Sequence, residues 1–170
     1  ERLHRIQRDI AVAATSSLDR RGALDELLRL IGELGEFDAG AIDLVSESGI
    51  RRIASTGDPP VAGYEGWCHS CRPTHYGSSS GRAGGEMISA GPVYGDATML
   101  AFCERTCPLR EAGYHSYAVV PIVHENRVAA ILLLFSSRRS TVPAAVQASI
   151  QAIVSEIGMI IAMVRTDEDR

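Results

Sequence analysis

A chain of 170 residues, 45% hydrophobic and 22% charged, is long enough for one domain with a sizeable core. A net charge of -4 leaves no basic footprint for nucleic acid or for an anionic membrane surface. No uninterrupted apolar run nears the length of a membrane span (Ala129–Phe135 is far too short) and no signal peptide opens the sequence, so a cytoplasmic setting without membrane contact is expected.

The chain starts at Glu1 without Met and stops in a charged stretch, Arg165–Arg170, which reads as a piece of a longer protein. Leu3, Ile6 and Ile10 fall three to four apart and predict a helix over about residues 2–15. Ser17 or Asp19 caps a second helix with Ala23, Leu24, Leu27, Leu28, Leu30 and Ile31 on its apolar side and Gly35 at its end. Strands follow at Ala39–Val45 and Ile50–Ser55, joined by the turn Ser46–Gly49.

The stretch 57–113 holds ten of the sixteen glycines, five of the seven prolines and all four cysteines. That composition predicts an irregular excursion with short helices at most, at Arg82–Ala90 and Phe102–Ala112, the second limited by Pro108. Beyond it, Tyr117–Val123 and Val128–Phe135 flank the polar break His124–Arg127 and predict the two central strands of an antiparallel sheet. Pro121 cannot donate to a ladder, so it belongs near a bulge or where a partner strand has ended. The last helix, capped by Ser140 or Thr141 with Pro143 in its first turn, carries Val142, Val146, Ile150, Ile153, Ile157, Ile160 and Val164 three or four apart. Met159, Ile161 and Met163 widen its apolar face, which predicts self-association through a helical bundle as well as packing on the sheet.

The cysteines carry whatever chemistry the sequence has. Cys68-His69-Ser70-Cys71 offers two thiolates that can bite one tetrahedral metal from a turn. Cys103 and Cys107, four apart, share a face if their segment is helical. Together they suit Zn²⁺, or alternatively an iron–sulfur cluster, with His69 and His75 as substitute ligands. A redox pair, a disulfide or inert thiols are the other readings. His75, Arg110 and His115 are candidate pocket residues, with Arg110 and His115 equally at home on a solvated loop. Tyr64, Tyr76, Tyr94 and Tyr114 could line the same pocket or simply pack. Gly77-Ser78-Ser79-Ser80-Gly81 fits GxSxG in letters but reads as flexible loop composition rather than a nucleophile turn, no HExxH or GxxxxGK[ST] pattern occurs, and no catalytic residue is assigned.

Three segments carry a resemblance to a known family. They are Arg21–Phe37 leading into Asp38-Ala39-Gly40-Ala41-Ile42-Asp43-Leu44, the run Arg110–Ile122, and Asn126–Ser136 before the long helix. In these the chain resembles a GAF domain. The resemblance implies an α/β (α+β) fold with a five- or six-stranded antiparallel sheet. It places long terminal helices on one face and loops with short helices enclosing a pocket on the other. The layout is then a helical arm over 1–16, a GAF-like domain over 17–165 and a charged tail over 166–170. The resemblance also implies a sensory module with a small-molecule ligand, a homodimer and an output domain such as a histidine kinase. Alternatives are a cysteine-dependent free methionine sulfoxide reductase, as in one enzymatic branch of the family, and a ligand-free dimerisation module.

Overall fold

The structure, a computed structural model, describes residues 1, 4–5, 8–9, 20–46, 49–60, 91–101 and 108–168. Helix α1, Arg20–Gly35, forms because Leu24, Leu27, Leu28 and Ile31 recur on one side, and all four are buried. On its outer side Arg29 pairs with Glu26 and Glu33, three and four residues away. Gly35 ends the helix, but Glu36 adopts the left-handed conformation (φ 56°), and Phe37 N donates to Gly32 O at 3.0 Å in the usual capping manner. Gly35 has a different reason to be small: a Cβ there would lie 2.2 Å from the Phe37 ring.

Strands β1 (Ala39–Ser46), β2 (Gly49–Thr56), β3 (Val93–Gly95), β4 (Ser116–His124) and β5 (Arg127–Ser136) form one antiparallel sheet in the order β2-β1-β5-β4-β3. The two apolar runs around His124–Arg127 are adjacent and antiparallel, as expected. Their loop is only Glu125-Asn126, both at positive φ, which matches a tight hairpin turn twisted like its strands. Pro121 meets both of its conditions. The β3 pairing ends at Val119, and the β4–β5 register shifts at Ile122/Val123.

Alternation along the strands fills two cores. Ala130, Leu132 and Leu134 join α1 and the last helix, α4 (Ala144–Glu168), on the first face. Ile131, Leu133 and Phe135 join a second cluster on the opposite face. With both faces covered, β5 needs no polar alternation, which explains its continuous apolar run. The expected stripe on α4 lies inward: Ile150, Ile153, Ile157 and Ile160 are buried against the sheet and α1.

One expectation needs correction. The excursion is less irregular than its composition suggests, because Val93–Gly95 pairs with β4 as a fifth strand. A strand of three residues containing a glycine is too short to leave a periodic signal. Of the expected helix over Phe102–Ala112, Pro108–Glu111 is helical (α3) and residues 102–107 lie outside the described residues, while a further short helix, α2, stands just before at Ala97–Ala101. Pro108 starts α3, a position where its missing N–H costs nothing. The expected helix at Arg82–Ala90 lies outside the described residues, as does the stripe Leu3, Ile6 and Ile10, although His4–Arg5 and Arg8–Asp9 are helical. One further point escapes a search for uninterrupted apolar runs. Ala144–Thr166 is long and apolar enough, by length and composition, to cross a membrane. Its isoleucines face the sheet instead.

Candidate functional site on the second sheet face

The second face is built from the inward residues of β1, β4 and β5, with Leu100 of α2 and Leu109 of α3 packed on them. Within this apolar surface sits one carboxylate. Asp43 is fully buried in mid-β1, and its partner is Arg52, opposite it on β2. Arg52 Nε donates to Asp43 Oδ1 at 2.9 Å and Nη2 to Oδ2 at 3.3 Å, a two-pronged contact. The third arm, Nη1, donates to Pro60 O at 2.6 Å. A register shift at Ile42/Asp43 makes this geometry possible. Ile53 is the extra residue of that bulge, and both Ile53 and Ala54 turn toward the helix side, leaving Arg52 for the opposite face. Burial pushes the Asp43 carboxyl above its ordinary range, outweighing the hydrogen bond and the charge of Arg52.

A second feature closes the excursion. Tyr114 stacks on Phe135 with centroids 5.0 Å apart, and its Oη donates to Asp58 O at 3.2 Å. Burial, then the charges of Asp38 and Asp58, raise its phenol pKa. The two ends of the stretch 57–113 therefore meet on one side of the sheet.

Cys68, Cys71, His75, Cys103 and Cys107 lie outside the described residues, as do His69, Tyr64 and Tyr76. Arg110 is exposed on α3. His115 is exposed just before β4, where its backbone N–H donates to Ser136 O at 2.7 Å. Tyr94 does not join Tyr114. The pleat turns it to the first face, where it packs against the core containing α4. Sequence reasoning passed over Asp43 and Arg52. The signal was present, since Asp43 is the one charged residue inside the apolar run Ala39–Val45. A carboxylate in mid-strand calls for a basic neighbour across the ladder.

Among curated proteins none matches this chain. The chain is similar in structure to the GAF domain of a phosphoenolpyruvate-protein phosphotransferase from Coxiella burnetii. That likeness has a TM-score of 0.70 at 16% identity, over 99% of this chain and 97% of that one. The phycoerythrobilin-bound GAF domain of a cyanobacterial phytochrome is similar with a TM-score of 0.68 at 15% identity, over 98% of each chain. A type II free methionine-R-sulfoxide reductase from Thermoplasma acidophilum is similar with a TM-score of 0.60 at 12% identity, over 84% of this chain and 92% of that one. At these identities the likeness establishes fold alone. The sequence model of the GAF domain matches residues 17–162, and with the five-stranded sheet in place the chain belongs to the GAF domain family, whose members typically serve sensory signalling proteins.

Proposed function

We propose that this GAF domain is the sensory module of a larger cytoplasmic signalling protein. It takes a small ligand against the second face and relays occupancy through a helical homodimer to an output domain such as a histidine kinase. The observation that carries this reading is the asymmetry of the sheet. One face is closed by the long helices α1 and α4. The other, covered among the described residues by two short helices, holds a buried Asp–Arg pair in an apolar surface. A carboxylate whose pKa is raised by burial in such a setting supports a binding site there.

Cys68, Cys71, Cys103 and Cys107 are the ligands of one structural Zn²⁺ beside that face in this reading, with an iron–sulfur cluster as the alternative. The Tyr114–Asp58 bond supports it, because it joins the ends of the stretch that carries all four thiols. A metal tying down so glycine-rich a stretch contributes its binding energy to folding. A second reading, a cysteine-dependent redox enzyme, draws support from the likeness to a free methionine-R-sulfoxide reductase.

Elemental analysis with thiol counting on anaerobically purified protein separates the two. One metal per chain, lost in Cys71→Ser, is the expected result, and Zn²⁺ leaves the sample colourless. Metal-free protein with four titratable thiols, active on free methionine sulfoxide, overturns the cradle in favour of the enzyme.

A further inference from the structure

Strand β3 and helix α2 stand between the second face and the root of α4. The pleat gives each residue of the strand its own side. Gly95 lies under the Tyr117 ring of the second-face core, so close that a Cβ would fall 2.0 Å from a ring carbon. Leu100, buried in the same core, anchors α2. Tyr94 points the other way, and Gln151 Nε2 of α4 donates to its hydroxyl at 2.9 Å. Ala97 N, at the start of α2, donates to Ser140 O at 2.9 Å in the loop that leads into α4. That loop has little slack. Asp38 accepts from Ser137 N at 2.8 Å and from Arg138 Nε at 3.1 Å, which fixes its near end to the start of β1.

We propose that Val93–Leu100 is a clip that carries displacement of the second-face cover into the first two turns of α4. The inference rests on the sensory reading of that face, but not on which ligand it takes. A ligand that moves Leu100 moves α2 as a unit. The backbone bond at Ala97 pulls on Ser140 in the loop before α4, and the Tyr94 hydroxyl pulls on Gln151 about two turns into the helix. Both contacts reach the same end of the helix, while Ile157–Val164 packs further along it.

Two substitutions cut the clip with little other damage. Tyr94→Phe keeps the ring and removes the hydroxyl. Ala97→Pro removes the N–H at the first residue of a helix, where proline fits. The perturbation on the ligand side is Leu100→Ala, with Leu100→Val as the milder version should the first fail to fold. Native-state hydrogen exchange of the whole chain is read at Gln147–Gln151 in wild type, Leu100→Ala, the clip-cut double variant and the triple variant.

Leu100→Ala is expected to change exchange there by about fivefold or more, the lower end of ordinary coupling between sites. In the clip-cut background that change should shrink to less than about twofold, with Ile157–Val164 steady throughout. An equal change in both backgrounds overturns the clip. So does an unmoved Gln147–Gln151 when α2 itself exchanges faster. Because no ligand is added, either outcome is independent of the metal and thiol test of the sensory reading.

Discussion

Arg52→Met is expected to destabilise the chain by about 3–5 kcal/mol at neutral pH, the usual consequence of removing one partner from a buried ion pair. The cost comes from what is left behind. Asp43 is fully buried, while Arg52 is one-fifth exposed, so losing Arg52 leaves a buried carboxylate without its ion partner. The Nη1 bond to Pro60 O, which ties the start of the excursion to β2, is lost as well. The pH dependence has a definite sign. The folded-state pKa of Asp43 already lies above its ordinary value of 3.8. Its contribution is therefore full below 3.8 and is lost as pH rises through the folded value. Without Arg52 both influences that lower that value disappear, so the deficit of the variant grows from acid toward neutral pH. Urea unfolding of variant and wild type at several pH values checks this. Adding Asp43→Asn to Arg52→Met should recover most of the loss, because the buried charge goes with it. A single variant as stable as wild type at neutral pH contradicts the assignment.

Gly57→Ala should be nearly as severe, for two separable reasons. The residue sits at φ 67°, and a Cβ would lie 2.3 Å from Asp38 O and 2.9 Å from Ala39 Cα. Both are backbone atoms at the entry to β1 and cannot swing aside. Left-handed strain of roughly 1–2 kcal/mol adds to an overpacking cost of roughly 1–3 kcal/mol, giving about 3 kcal/mol in all. Gly91 is the natural control, because it has the same φ of 67° with nothing among the described residues within 4 Å of its Cβ position. Gly91→Ala should show the strain alone, about 1 kcal/mol. Matching losses in the two variants, measured by chemical unfolding, would remove the contact from the explanation.

Much of the fold was legible in the sequence because long periodic segments report their own burial. Leu24–Ile31 and Val142–Val164 name the sides that face the sheet, and the His124–Arg127 break names a hairpin. What escaped was short or depended on a partner distant in sequence. Strand β3 gets its place from pairing with Tyr117–Val119 rather than from its own three residues. Arg52 reads as an ordinary exposed-strand arginine until the Ile42/Asp43 bulge turns it onto the buried Asp43. Tyr94 and Tyr114 look alike in sequence, and only the pleat and the loop direction send them to opposite faces. The cysteines were conspicuous by clustering, yet spacing alone leaves metal, redox couple and inert thiol open.

The stripe that suggested a dimer seam on α4 turns out to face the chain's own sheet. The opposite side of α4 is exposed, with Ala144, Ala145 and Ala148 at the surface and Met159 63% exposed. Small residues allow close helix approach, and Met159 is one of two large hydrophobic side chains exposed among the described residues. The relay we propose requires α4 to serve both sides at once, its isoleucines toward the sheet and its alanine–methionine side toward a second copy. Light scattering on wild type and Met159→Glu, both at high micromolar concentration, tests that requirement most directly. The account predicts a dimer for wild type and a folded monomer for Met159→Glu. A wild-type monomer at that concentration would contradict it.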